Sequence, residues 1–204
     1  MKLGICMGGL EHGVECYTRE VCQKFDAVTY LEIGIARGET LTGIASMISS
    51  IRASWRAVGV DLPDGYSLNL SDVAGNAYAN KLNFVVCNNG SEPPDNYVTV
   101  YLKPSHEFMQ TWNRPIHIAL IDGCHCKQCT MDDFTNIAKH VPVGGIVMFH
   151  DFTLEYVGAE QPHGTRCAVV PACAELGLLD KHYPGWEWCD TLKGERDMGV
   201  FRRV

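Results

Sequence analysis

Two carboxylates and two histidines in the second half of the chain have the composition of a metal or acid–base site. Asp122 and His125 occur in "LIDGCH", and His150 and Asp151 end "GGIVMFHD". Carboxylate oxygens suit Mg²⁺, Ca²⁺ or Mn²⁺, and an imidazole such as His125 can act as a general base near neutral pH. We therefore predict a divalent cation bound by Asp122, His150 and Asp151. The alternative is that both carboxylates only cap the segments that follow them.

An acidic residue precedes the glycines of the turn "YLEIGIARG". Glu32 stands where the dinucleotide fingerprint G-x-G-x-x-G has its first glycine, and Gly34 and Gly38 follow it. A carboxylate is a poor neighbour for a pyrophosphate and a good one for a positive charge, while Gly34 lets a ligand approach the backbone. Asp61, which ends the next apolar segment, can accept hydrogen bonds from two ribose hydroxyls. The turn predicts a cationic nucleoside, for which S-adenosylmethionine is a candidate; the alternative is a structural turn with a surface glutamate.

Alternating strand-like and helix-like segments would bring both groups to one place. Continuous apolar runs predict strands buried on both faces, and apolar residues at helical spacing predict the helices between them. This alternation predicts an α/β fold with a doubly wound, mostly parallel, seven-stranded sheet and a C-terminal antiparallel hairpin. Ligands bind at the carboxyl ends of such strands, and most of the predicted ends carry a carboxylate. The predicted strands are 27–34, 56–62, 83–88, 115–123, 144–151, 185–192 and 197–203, with 97–102 left ambiguous, and the predicted helices are 12–25, 40–54, 67–82, 105–112, 129–141 and 165–178, in which Pro171 is a kink or a break.

The composition is that of an acidic globular protein. The chain has 204 residues, of which 46% are hydrophobic and 20% charged, and this suits one domain over 1–204 with 1–26 as an N-terminal helical cover. The net charge of −7 argues against nucleic acid as a partner and favours a small molecule. No apolar run is long enough for a membrane span, and the N-terminus lacks the pattern of a signal peptide. We therefore expect a cytoplasmic protein without a membrane partner, for which a homodimer is one option.

Ten cysteines are a high count for such a chain, and we expect them to be reduced thiols. Three of them, Cys124, Cys126 and Cys129, form the cluster "CHCKQC" around His125. Strong zinc signals pair two such units at a distance, and the sequence offers no clear second unit. Zinc binding, packing of small side chains and redox sensitivity are three open interpretations of this cluster.

The turn and the strand ends together resemble a known family. The pattern E-x-G-x-x-x-G from Glu32 to Gly38 resembles the first motif of class I S-adenosylmethionine-dependent methyltransferases, and Asp61 falls where their ribose-binding acid falls. "IDGCH", "DDF", "VPVGGIVMFHDF" and "GTRCAV" are similar to a smaller group with a D-G-x-H motif, which includes sugar and macrolide O-methyltransferases and cephalosporin-hydroxylase-like proteins. The resemblance covers roughly residues 28–204. It implies an S-adenosylmethionine site, with the loop 88–91 near the adenine, that is formed by Glu32, Gly34, Ile35, Ala36, Gly38, Asp61, Asn89 and Asp122.

The same resemblance assigns roles to the second group. In relatives with metal, the equivalents of Asp122 and Asp151 bind Mg²⁺, and the histidine of D-G-x-H, here His125, is the base. His150 stands where those relatives have an acid, and an imidazole ligand would shift the preference toward Mn²⁺, Fe²⁺ or Zn²⁺. The resemblance implies metal-assisted O-methylation of a small hydroxylated molecule. The competing functions are a non-catalytic or regulatory protein that keeps the fold, and a Rossmann oxidoreductase, which Glu32 disfavours.

Overall fold

The computed structural model describes residues 11–63, 68–87, 94–153, 167–180, 183–194 and 197–204. Strands and helices alternate along these ranges. The strands are β1 (Ala27–Ile33), β2 (Ser54–Asp61), β3 (Asn83–Cys87), β4 (Tyr97–Leu102), β5 (Ile118–Ile121), β6 (Ile146–Phe149), β7 (Trp186–Leu192) and β8 (Met198–Arg203). The helices are α1 (Glu11–Lys24), α2 (Glu39–Ile51), α3 (Leu70–Ala79), α4 (Ser105–Thr111), α5 (Lys127–Ala138) and α6 (Val169–Glu175).

The strands form one sheet in the order β3-β4-β2-β1-β5-β6-β8-β7. The first six strands in that order are parallel to one another, and β8 is antiparallel to both β6 and β7. The predicted mostly parallel sheet with its C-terminal hairpin is therefore confirmed, but the described sheet has eight strands rather than seven. The additional strand is β4, the ambiguous segment 97–102, which lies between β2 and β3. Its four interior residues are all buried. No helix-like pattern separates it from the predicted strand 83–88, so the alternation of strands and helices did not predict it.

Helices cover both faces of the sheet and divide the core in two. Helices α1, α2 and α3 pack on one face, where Tyr30 is fully buried, and α4, α5 and α6 pack on the other, where Leu31 is fully buried. Consecutive residues of a strand point to opposite faces, so a strand covered on both sides is apolar nearly throughout. β1 has this character, because six of its seven residues are buried.

The N-terminal helix α1 packs against α2 and β1. Val14, Val21 and Cys22 of α1 are buried in the core on that face. On the outer side, Arg202 Nη2 of β8 donates a hydrogen bond of 2.6 Å to Glu20 Oε2. The helix is thus joined to both the centre and the C-terminal part of the sheet. Among the described residues, no helix combines the length and the apolar character that a membrane crossing requires.

Pro171 does not break the last helix. It is the third residue of α6, which begins at Val169, and residues 167 and 168 are not helical. The first four N–H groups of a helix have no acceptor within the helix, so a proline there removes no helical hydrogen bond. The prediction of a kink or break at Pro171 is therefore wrong, because the helix begins later than the predicted 165.

Candidate functional site

The predicted site residues lie at the carboxyl ends of the central strands. Glu32 of β1 pairs with Leu120 of β5, and Ile121, the last residue of β5, pairs with Phe149 of β6. Asp122 directly follows β5, and His150 and Asp151 directly follow β6. Because neighbouring parallel strands end at the same edge, these side chains meet at the edge where α/β sheets bind ligands.

At this edge Asp122, His125, His150 and Asp151 form a group that we term the Asp–His cluster. Asp122 Oδ1 lies 2.6 Å from His150 Nδ1 and 3.2 Å from His125 Nε2. Asp151 Oδ2 lies 3.0 Å from His125 Nδ1, and Asp151 Oδ1 lies 3.5 Å from His150 Nδ1. The side chain of Asp151 is 1% exposed and that of Asp122 is 29% exposed. Asp122 is thus the carboxylate that faces the open side of the site, and Asp151 closes its inner side.

The backbone at Asp151 explains how two adjacent residues reach the same cluster. Successive side chains of an extended strand point to opposite faces and cannot contact one group of atoms. Asp151 has φ +54°, in the left-handed region, and the strand β6 has ended two residues earlier. Aspartate is among the few non-glycine residues that tolerate this region. The turn therefore places the carboxyl of Asp151 and the imidazole of His150 together.

The cluster is strongly charged. Burial alone would lower the pKa of His125, but the hydrogen bond to Asp122 and the charges of Asp122 and Asp151 raise that pKa to about 10. Burial would raise the pKa of Asp122, but His150 and His125 hold it below its usual value. Without a cation, His125 therefore carries a proton at neutral pH, and Asp122 is ionised beside it.

The cluster has the donor set of a divalent cation site. Ligand atoms of Asp122, His125 and His150 lie within 4.8 Å of one another. The Nδ1 atoms of both histidines are buried, and neither is aligned for a hydrogen bond with a described residue. Imidazole nitrogens and a carboxylate oxygen suit Mn²⁺, Fe²⁺ or Zn²⁺. His125, the predicted base, is thus one of the three residues whose ligand atoms converge. Asp151, a predicted ligand, is not among them and lies on the buried side of the two imidazoles.

The backbone amides of the glycine turn donate hydrogen bonds to Asp61. Asp61 Oδ2 accepts hydrogen bonds from the amides of Ile35 at 2.9 Å and Ala36 at 3.4 Å, and Oδ1 accepts one from Leu62 at 2.8 Å. A phosphate-binding loop instead points its free amides at the phosphate. The amides of Ile35 and Ala36 already donate to a carboxylate and are not free to bind a phosphate. Asp61 remains a predicted ribose ligand.

Glu32 is buried beside a tyrosine that the sequence analysis did not single out. It is 2% exposed, and Tyr30 Oη donates a hydrogen bond of 2.5 Å to Glu32 Oε2. Burial, together with the charges of Asp122 and Asp61, raises the pKa of Glu32 well above its usual value, although the bond from Tyr30 opposes the shift. Tyr30 precedes Glu32 by two residues, so both point to one face of β1. That spacing is the sequence signal that could have identified the pair.

Gly34 is required by packing as well as by any ligand. It has φ +81°, and a Cβ at this position would lie 2.3 Å from the backbone oxygen of Asp122. Gly38 has φ +71° and precedes α2, and a Cβ there would lie 2.9 Å from the side chain of Val73. The turn therefore packs directly on the backbone of the Asp–His cluster, and the close approach that we predicted for a ligand is made by the protein itself.

The predicted adenine region stays a prediction. Asn89 and the rest of the loop 88–91 lie outside the described residues, and β3, which precedes them, is the edge strand of the sheet. Asp61 instead pairs with Leu102, the last residue of β4. Next to it, Ser105 Oγ donates a hydrogen bond of 2.5 Å to the buried Asp133. The sequence analysis left 97–102 ambiguous and therefore did not predict that β4 lies beside β2.

The family of the chain follows from comparison with known proteins. A family model described as "Methyltransferase domain" matches residues 31–152, which is more than half of the chain and includes the turn and the Asp–His cluster. No curated protein matches the chain by sequence.

Solved structures share the fold at low identity. An O-methyltransferase from Bacillus cereus in complex with SAH has a TM-score of 0.66 and 15% identity, over 95% of this chain and 81% of that one. An rRNA methylase from Streptococcus thermophilus has a TM-score of 0.60 and 11% identity, over 98% and 99%. TrmN from Thermus thermophilus has a TM-score of 0.59 and 13% identity, and the chain spans about half (51%) of its length. The chain therefore belongs to the methyltransferase-domain family and has the class I fold of the S-adenosylmethionine-dependent methyltransferases.

Proposed function

We propose that the protein transfers a methyl group from S-adenosylmethionine to an oxygen of a small hydroxylated molecule, with assistance from a divalent cation. The observation that carries the proposal is the contact between the two predicted sites. The turn at Gly34 packs on the backbone of Asp122, the most exposed carboxylate of the Asp–His cluster. A ligand on the turn and a ligand on the cluster would therefore be neighbours, as methyl transfer requires.

The turn fits S-adenosylmethionine, which would supply the methyl group as a sulfonium. Glu32 and Asp61 place two acids at the turn, and the amides of Ile35 and Ala36 already face a carboxylate. The pKa of Glu32 is raised because the residue is buried near other acids. A cationic ligand nearby would favour the ionised form of Glu32. The residues of the turn thus recognise a positive charge and ribose hydroxyls.

The Asp–His cluster fits a divalent cation, which would lower the pKa of an acceptor hydroxyl. Asp122 and His150 would hold it, with Mn²⁺ favoured over Mg²⁺ by the imidazole ligand. Asp151, which is almost fully buried 3.0 Å from His125 Nδ1, would orient His125 from behind.

His125 would accept the proton of the acceptor hydroxyl at Nε2, the nitrogen on the Asp122 side. A general base must be unprotonated at the working pH, yet the two carboxylates raise the pKa of His125 to about 10. Positive charge beside Asp122 would oppose protonation of the imidazole and bring its pKa toward neutrality. Metal assistance therefore also explains how His125 could serve as a base.

A non-catalytic protein is the second candidate function. Its support is that both acids of the turn are already engaged within the protein, Glu32 by Tyr30 and Asp61 by backbone amides. Such a protein would bind S-adenosylmethionine or its product without turning it over. An acceptor as large as nucleic acid is disfavoured by the net charge of −7.

Calorimetry and a transfer assay distinguish these functions. The protein is titrated with S-adenosylmethionine and with NAD⁺, each with and without Mn²⁺ or Mg²⁺, and then assayed with labelled S-adenosylmethionine and a panel of hydroxylated acceptors. We expect saturable binding of S-adenosylmethionine, no binding of NAD⁺, and Mn²⁺-dependent transfer that Asp122→Asn abolishes. Asp132→Asn, an exposed change on α5, is the matched control and should leave transfer unchanged.

Each other outcome has a defined meaning. Absence of S-adenosylmethionine binding would overturn the proposed function. Binding without transfer to any acceptor would favour the non-catalytic candidate. Transfer that neither metal removal nor Asp122→Asn affects would remove the cation from the proposal and leave the cofactor.

A further inference from the structure

We propose that Cys124, Cys126 and Cys129 form a second metal site, specific for a thiophilic ion such as Zn²⁺. Their three sulfur atoms lie within 4.8 Å of one another. Sulfur atoms that each lie about 2.3 Å from a shared Zn²⁺ are separated by about 3.8 to 4.0 Å. The observed arrangement therefore needs only a small contraction to hold one ion. This site is distinct from the Asp–His cluster and does not depend on the proposed methyl transfer.

The local fold explains why the sulfurs converge. Cys126 is the N-cap of α5, and its Sγ accepts a hydrogen bond of 3.3 Å from the backbone N–H of Cys129. Cys129 lies in the first turn of the same helix, and Cys124 lies in the preceding segment. A backbone N–H donated to sulfur is the outer contact that stabilises a metal-bound thiolate. The beginning of α5 thus supplies both the geometry of the ligands and one of their supporting hydrogen bonds.

The surroundings of the three cysteines favour a soft metal ion that can exchange with solvent. All three side chains are half-buried thiols, whereas packing cysteines such as Cys22 and Cys173 are fully buried. His125 lies between two of the ligands in sequence, but its ring nitrogens are 3.2 Å and 3.0 Å from carboxylates of the Asp–His cluster. The described residues therefore offer three sulfur ligands and leave a fourth position to an external ligand. Thiolates without oxygen or nitrogen donors select Zn²⁺ or Cu⁺ over Mg²⁺ and Mn²⁺.

Cobalt substitution tests the site in the full-length protein. The protein is reduced, freed of metal and titrated with Co²⁺, because a cobalt–thiolate bond gives a charge-transfer absorption that oxygen and imidazole ligands do not give. We expect the absorption to rise to a plateau as Co²⁺ is added and to be removed by Zn²⁺, which binds such sites more tightly than Co²⁺. The variant Asp122→Asn should keep it, because that change affects only the Asp–His cluster.

Serine variants locate the ligands. Cys126→Ser keeps an N-cap oxygen for α5 and should therefore fold. Because even outer partners of a metal are worth about 10- to 100-fold in affinity, losing one ligand of three should weaken Zn²⁺ binding by more than about 100-fold. Cys16→Ser, an exposed change on α1, is the matched control and should bind as the wild type does.

The outcomes that overturn the site are specific. They are the absence of a charge-transfer absorption in the reduced protein, an unchanged absorption in Cys126→Ser, or an equal loss in Cys16→Ser. Circular dichroism of each variant checks the fold. If Cys126→Ser does not fold, Cys124→Ser, which lies outside the helix, is tested in its place and carries the same expectation.

Discussion

At the scale of residues, the buried carboxyl of Asp151 lies close to both imidazoles of the Asp–His cluster. Its oxygens lie 3.0 Å from His125 Nδ1 and 3.5 Å from His150 Nδ1, and its side chain is 1% exposed. A buried carboxylate is tolerated only where positive charge or hydrogen bonds offset the loss of water. We therefore propose that Asp151 positions His125, and its removal should disturb the base without removing the cofactor site.

Asp151→Asn should lower kcat by about 10²-fold or more, within the range that acid–base groups contribute. The affinity for S-adenosylmethionine should change by less than about twofold, because Asp151 lies behind the imidazoles and not at the turn. Loss of the carboxylate charge lowers the pKa of His125, so the acidic limb of the pH–kcat profile should shift to lower pH. Pre-steady-state transfer rates and calorimetry measure these quantities. An unshifted profile together with unchanged kcat would exclude the positioning role.

A second residue-scale prediction concerns His117, which packs beside Phe25 away from the site. The backbone N–H of Thr29 donates a hydrogen bond of 3.0 Å to His117 Nδ1, and burial lowers the pKa of His117 to about 4 from its usual 6.5. Below pH 6.5 the unfolded chain takes up a proton at this residue and the folded chain does not until about pH 4. Stability is therefore fully present above pH 6.5 and is lost as the pH falls.

Between about pH 7.5 and about pH 5, the free energy of unfolding should fall in both the wild type and His117→Gln. The fall should be larger in the wild type by about 1 to 2 kcal/mol. Urea unfolding at both pH values measures the difference. His106→Gln, an exposed change on α4, should keep the wild-type dependence. Parallel pH profiles of the wild type and His117→Gln would contradict a neutral, buried imidazole at this position.

At the scale of elements, the turn between β1 and α2 combines unusual backbone with close packing. Gly34, Ala36 and Gly38 all have positive φ, at +81°, +45° and +71°. The carboxylate of Asp61 in β2 accepts hydrogen bonds from the backbone amides in the middle of the turn. The backbone of Asp122 packs against the first glycine of the turn. A conformation of this kind persists only where the surrounding structure determines it fully. The turn is therefore a rigid part of the site and not an adaptable loop.

Gly34→Ala should destabilise the protein by more than about 2 kcal/mol, since a left-handed φ is strained for alanine and its Cβ meets rigid backbone. Gly75→Ala is the matched control, because Gly75 lies within α3 and a Cβ there has nothing within 4 Å. That control should be neutral or stabilise by up to about 1 kcal/mol. Denaturant unfolding measures both changes. A Gly34→Ala variant as stable as the wild type would show that the turn relaxes easily.

At the scale of the whole molecule, the sheet joins parts that are distant in sequence. Glu20 of α1 pairs with Arg202 of β8, so the first and last described elements are in contact. Helix α1 also contributes Val21 to the same core as α2 and the central strands. We therefore propose that residues 1–204 behave as one domain in which α1 unfolds together with the sheet.

Val21→Ala should lower the free energy of unfolding by about 1 to 3 kcal/mol, the usual cost of removing buried methyl groups. It should shift the single thermal transition by about 2 to 4 °C per kcal/mol. Val147→Ala, in β6 on the other face of the sheet, should shift the same transition. Circular dichroism and tryptophan fluorescence should report coincident curves in both variants. A separate early transition in Val21→Ala alone would show that α1 is an independent cover.

Local pattern could predict the sheet, its hairpin and the edge at which Asp122 and Asp151 meet. Strands that end at one edge bring their terminal residues together whatever the details of the loops. The alternation of strands and helices did not predict β4, because no helix-like pattern separates 83–88 from 97–102, and parallel neighbours usually need a helical crossover. Asn89 lies outside the described residues and stays a prediction.

Periodicity and residue types at short spacing predict the fold class and the acidic turn, and the motifs at the strand ends carry the resemblance to the methyltransferase family. The folded structure sets what each group contacts. In the folded protein Glu32 accepts a hydrogen bond from Tyr30, and Gly34 packs against the backbone of Asp122. Asp151 lies beside His125, and three cysteine sulfurs lie within 4.8 Å of one another. These contacts depend on backbone angles and on packing between distant segments, and no local pattern of residues encodes either.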